Sequence, residues 1–173
     1  MVRGSDRHFE GRRVAMGHFG FSAVGLLYLL MLAVPSIMWA QRKPEGYSPS
    51  NEKRILLVFE RVGQVLCTIT VLFFADTNPQ AFEPWIAWLI ASAFLMALYE
   101  GYWIRYFRSR RTLQDFYRPF LKVPAPGATL PVAAFLFLGI YGQLIWLITA
   151  SAIFGIGHIG IHLQHLQSMK SER

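Results

Sequence analysis

The sequence predicts an all-α integral membrane protein, with about five transmembrane helices (four is the alternative count) in one compact bundle. Three observations carry this expectation. Only 16% of the 173 residues are charged, against about 25% in typical soluble domains. Residues 14–41 and 123–169 contain no Asp, Glu, Lys or Arg, and a spanning helix needs about 20 mostly apolar residues. The basic residues cluster beside the apolar stretches, where they set membrane orientation. The whole of 1–173 reads as a single transmembrane domain with polar tails at 1–13 and 167–173.

The net charge of +7 therefore points to the lipid bilayer and its anionic headgroups as partners, not to nucleic acid, because no soluble domain remains to carry nucleic-acid binding. The one cysteine, Cys67, falls inside an apolar stretch and has no second cysteine to pair with. A cleavable signal peptide is not expected. The first apolar run is too long for one, and Ser36-Ile37-Met38-Trp39-Ala40 lacks a small-x-small site.

The first span is expected at about residues 17–39. The second runs over about 55–75, between Arg54 and the turn signal Asp76-Thr77-Asn78-Pro79. The third runs over about 84–107, with Pro84 suited to a first helical turn and Glu83 to the positive end of the helix dipole. One helix through all of 123–169 would far exceed a bilayer core about 30 Å thick. Two glycines in Gly139-Ile140-Tyr141-Gly142-Gln143 supply a break. A fourth span at about 121–141 and a fifth at about 144–166 follow. The fourth is irregular at its proline-rich start, because Pro124, Pro126 and Pro131 interrupt helix.

Five spans place residues 41–54, 107–121 and the C-terminus on one side. Counting Arg105 and Lys122 with the loop they flank, twelve Lys and Arg residues lie there, against Arg3, Arg7, Arg12 and Arg13 on the other. The positive-inside rule makes the first side, including 41–54 and 107–121, cytoplasmic. Four spans would weaken the bias to ten against six. Trp39, Trp85, Trp88, Trp103 and Trp146 fall near the expected interfaces, as belt residues do.

The polar centre is sought by depth. Glu60 lies about 9 Å into its span from the basic side, and Glu100 and His158 each lie about 12 Å in. His158, His162 and His165 share one helical stripe, and Glu60, Gln64 and Cys67 share another. The expected site is an inward cluster of Glu60, Gln64, Glu100, His158 and His162 that binds a solute or ion, with Arg61 and Arg105 as counter-charges. Internal ion pairing that merely fixes helix register is the plainer reading. Intramembrane ionisable groups more often mark a site. If the protein is an enzyme, Glu100 or His158 is the catalytic base. His158-x-x-x-His162 also has a spacing that allows two ligands to a divalent metal, so such a cofactor is a candidate. His18 belongs to the opposite face and His8 to a solvated tail.

Arg108, Arg110, Arg111, Arg118 and Lys122 alternate with aromatic residues in the following loop. This pattern fits an interfacial stretch that binds anionic headgroups, or a cradle for an anionic group beside the buried cluster. Asp115 is placed to pair with Arg111.

Gly155-Ile156-Gly157-His158-Ile159-Gly160 matches the dinucleotide pattern GxGxxG, but no strand precedes it. Glycines at those positions let helices approach closely. Arg111 to Pro119 has the form Arg-x6-Arg-Pro and is similar to the first motif of membrane phosphatidic-acid phosphatases. The companion Pro-Ser-Gly-His and Ser-Arg-x5-His motifs are missing, so no family follows.

Three functions fit. A small transporter or channel component would use the buried Glu and His to relay protons or hold a solute. A membrane-embedded enzyme would act on a lipid or prenyl-type substrate. A non-catalytic membrane subunit would use the same residues to organise helices. So small a chain is short of a full transport path, so transport implies a homo-oligomer or a larger membrane complex.

Overall fold

Ser22 starts the first helix. Its hydroxyl accepts the Gly25 amide at 2.8 Å, and α1 runs Ala23–Gln41, starting six residues after the start expected for the first span. The computed structural model describes residues 17–47, 52–80 and 84–171. Residues 1–16, which include His8 and the four arginines counted for the second face, lie outside this set, as does Glu83.

Five further helices follow among the described residues. They are α2 (Arg54–Phe73), α3 (Ile86–Arg108), a short α4 (Leu113–Tyr117), α5 (Pro126–Tyr141) and α6 (Ile145–Ser171), with a 3-10 turn at Ala75–Thr77 after α2. α6 continues through residues 167–171, read from the sequence as polar tail. Among the described residues the only β-pairing is two isolated bridges.

Among the described residues, four helices are long and apolar enough to cross a membrane: α1, α2, α3 and the Ile145–Met169 part of α6. α5 is apolar but has 16 residues, about 24 Å of helix. It is the most enclosed helix, with ten of its residues buried. Pro131 sits inside it, so the irregular stretch expected from the prolines is confined to residues before Pro126. There Leu121, Lys122 and Ala125 take positive φ.

The five long helices alternate in direction. Gly127 at the start of α5 lies against Tyr102 near the end of α3, while Trp85 before α3 donates its indole N–H to the carbonyls of Ile140 and Tyr141. The loop before α2 meets the end of α6, where the Lys53 amide donates to the Gln164 side chain at 3.3 Å. One end of the bundle therefore gathers 42–47, 52–53 and 109–125, and the other gathers 74–80, 84–85 and 142–144.

The core between α1, α3 and α5 is aromatic. Tyr28, Tyr99, Tyr102, Trp103, Tyr106, Phe116 and Phe135 are all buried. Trp103 stacks on Phe107 at 5.3 Å, so it is a core residue and not the belt residue its position suggested. Buried hydroxyls tie three helices. Tyr28 Oη lies 3.0 Å from Ser92 Oγ, and Ser92 donates to the Ala134 carbonyl at 2.7 Å.

Candidate functional site

The α2–α6 seam positions the site. Gly63 on α2 faces the Phe154 backbone, and Gly157 on α6 faces the Glu60 amide and the Leu56 carbonyl. A methyl group at either glycine would collide with the opposing backbone. Small residues allow this close approach between membrane helices. It brings the Glu60 carboxylate to His158, with Oε1 at 2.6 Å from Nδ1.

From that pair a line of ionisable and aromatic groups leads towards the basic end. Phe154 stacks flat on the His158 imidazole at 4.8 Å, and His162 meets it edge-on at 4.8 Å. His162 lies 5.8 Å from both Phe116 and Tyr117, ring to ring. Tyr117 is 6.2 Å from His165, whose Nε2 is 2.9 Å from Glu52 Oε1. Tyr47 closes the line, with its ring 5.2 Å from His165 and its hydroxyl donating to Glu52 at 3.5 Å. Burial, then the negative charges of Glu52 and Glu60, push the Tyr47 phenol up to about 12. Burial raises the Tyr117 phenol as well, helped by Tyr47 and Glu52. The Tyr47 hydroxyl keeps its bond to Glu52, while the Tyr117 hydroxyl is buried without a hydrogen-bond partner and meets its neighbours through its ring.

Not every expected member joins. Glu100 points to the other side of α3, into a groove of about 270 Å³ shared with Leu30, Met31, Val34 and Pro35 of α1. Its Oε1 is buried without a hydrogen-bond partner. Depth along the helix matched Glu60 and Glu100, but the rotation of α3 separates them. Gln64 and Arg61 are exposed on the flank of α2. Arg105 is not a counter-charge to either carboxylate. Its guanidinium donates to the carbonyls of Pro119 and Arg118, each at 2.9 Å, and to that of Asp115 at 3.5 Å. Three carbonyls left open at the end of α4 are thereby satisfied.

No protein-family model, curated protein or solved structure matches this chain.

The basic loop is likewise partly committed to structure. Arg111 donates to the Phe107 carbonyl at 3.2 Å and lies over its ring. Asp115 is not its partner, since that carboxylate accepts the Thr112 amide in a capping box. Slight burial pushes the Asp115 carboxyl up, but hydrogen bonds from Thr112 outweigh this and hold it below the usual range. Arg108, Arg110, Arg118 and Lys122 are exposed at the same end. Arg118 borders an open cavity of about 430 Å³ together with Gln114, Tyr117 and Met169.

His158 and His162 are neighbours, but among the described residues no three His, Cys, Asp or Glu side chains converge as a metal site. His18 sits at the opposite end, where its amide and Nδ1 contact Asp76 at 2.6 and 2.7 Å. Sequence reasoning missed Glu52, Tyr47 and Tyr117. Glu52 looked like part of a charged loop, and only the three-histidine stripe, extended to His165, pointed towards it.

Proposed function

We propose that this protein is a proton-handling component of membrane transport, with the Glu60–His158 pair at its centre. The carrying observation is the 2.6 Å contact between Glu60 and His158 inside two spanning helices. A carboxylate and an imidazole at that separation share a proton, and the imidazole's second nitrogen is left to exchange it. His162, Tyr117, His165 and Glu52 continue the line to the basic end of the bundle. By the charge bias that end is cytoplasmic, so protons would enter or leave the pair from that side.

Beyond Glu60 the α2–α6 seam turns apolar and close-packed, through Gly63, Phe154 and the Cys67–Ser151 contact. The line therefore serves half of the membrane's thickness. This supports a role as proton input to a larger assembly, whose other members or copies complete the path for a small solute or ion.

The test is proton movement into vesicles that carry the purified protein and a trapped pH-sensitive dye. Wild type should relax an imposed pH difference or bind protons stoichiometrically. Glu60→Gln and His158→Gln should lower that signal at least tenfold with the fold intact. Signals equal to wild type in both variants would contradict the proposal. Turnover of a bilayer lipid without proton movement would favour an embedded enzyme instead.

A further inference from the structure

Arg61, next to Glu60 on α2 but about 100° round the helix from it, carries a charge that no described residue answers. Arg61 is exposed, no described residue forms an ion pair with it, and Gln64 one turn on is exposed as well. Around them Val58, Val62 and Val65 are exposed apolar residues of the kind that face lipid or another helix. A guanidinium on such a face is costly unless it finds an anion or reaches the headgroups.

The complementary feature lies on a different helix pair. Glu100 sits in the α1–α3 groove with one carboxylate oxygen buried and without a hydrogen-bond partner. The groove is apolar and opens outward between Leu30 and Val34, both half exposed. Pro35 also removes the amide that would bond the Met31 carbonyl, another groove residue, so a second acceptor points into the same region. The groove offers acceptors and no donor, and Arg61 is a donor without an acceptor.

Depth matches. Arg61 is seven residues from the start of α2 and Glu100 eight from the end of α3, about 10 and 12 Å from the same end of the bundle. Two copies related by an axis along the membrane normal hold these residues at one level.

We propose that a second copy of this chain is the occupant of the groove, with its Arg61 paired to Glu100. The patches are unlike, so each copy offers one of each to its neighbours, and the contact builds a closed cyclic oligomer. The inference is independent of the proton-handling reading, since it uses neither Glu60 nor His158.

The test is the oligomeric state of the purified chain in lipid nanodiscs or mild detergent, by native mass measurement. Wild type should be oligomeric. Arg61→Glu and Glu100→Arg should each weaken association at least tenfold, and the double substitution should restore it. A second measurement does not depend on charge reversal. Leu30 and Val65 are each eleven residues from the same end, one in the groove and one a turn from Arg61. Chains carrying Leu30→Cys, mixed with chains carrying Val65→Cys, should cross-link to a heterodimer on oxidation, while wild-type chains with Cys67 alone should not. Monomeric wild type, association indifferent to both single substitutions (as when Arg61 only reaches headgroups), or no heterodimer would each overturn the proposal.

Discussion

Gly157 of α6 lies against the backbone amide of Glu60 on α2, with no room for a methyl group between them. This contact sets the rotation of both helices and brings the Glu60 side chain to His158. Substituting Gly157 or Gly63 by alanine should push the helices apart, at a cost of about 1–3 kcal/mol for overpacking. Gly101→Ala meets only Phe120 at ordinary contact distance, 3.5 Å, and should be far milder. Thermal unfolding in detergent orders the three variants.

Arg105 should matter for stability and little for proton movement. Its three carbonyl bonds hold residues 115–119 against the end of α3. Hydrogen bonds from a charged group contribute about 1.5–3 kcal/mol, and lysine cannot reproduce the fork. Arg105→Lys should therefore destabilise nearly as much as Arg105→Ala, with vesicle proton signals preserved per folded molecule. A Lys variant as stable as wild type would show that charge alone suffices.

The fold's outline was legible in the sequence because uncharged runs and prolines punctuate it. What blurred the count was α5, whose apolar run suggested a full span while Pro124 and Pro126 delay helix until residue 126. In the site, spacing showed His158, His162 and His165 on one stripe, and depth put Glu60 at the level of His158. Azimuth was not legible. Glu100 matched in depth but faces α1, because the Tyr99, Tyr102 and Tyr106 stripe takes the core side of α3. Arg105 read as a counter-charge, whereas the carbonyls it binds exist only once α4 forms.

Tyr28 and Ser92 offer a check on the α1–α3 register. Tyr28→Phe removes one buried partner of Ser92, which keeps its bond to Ala134. The loss should be about 0.5–1.5 kcal/mol, and Ser92→Ala should cost more, since it strands the Tyr28 hydroxyl. Equal stability of all three proteins in denaturant titration would contradict this packing.

Asp115 gives a pH prediction. Its folded-state pKa is depressed, so its contribution is present above the unfolded value and is lost as pH falls through the folded one. Amide protection over residues 112–118, measured against the intrinsic exchange rate at each pH, should fall below about pH 4, the ordinary range for an aspartate. Asp115→Asn should flatten that dependence, and an unchanged profile in the Asn variant would remove the cap from the explanation.

The most direct measurement is the nitrogen spectrum of isotope-labelled histidines in lipid bilayers, in wild type and in Glu60→Gln. If Glu60 and His158 share a proton, the His158 Nδ1 resonance moves on substitution while His18, at the far end, stays fixed. A His158 resonance identical in the two proteins would contradict the account at its centre.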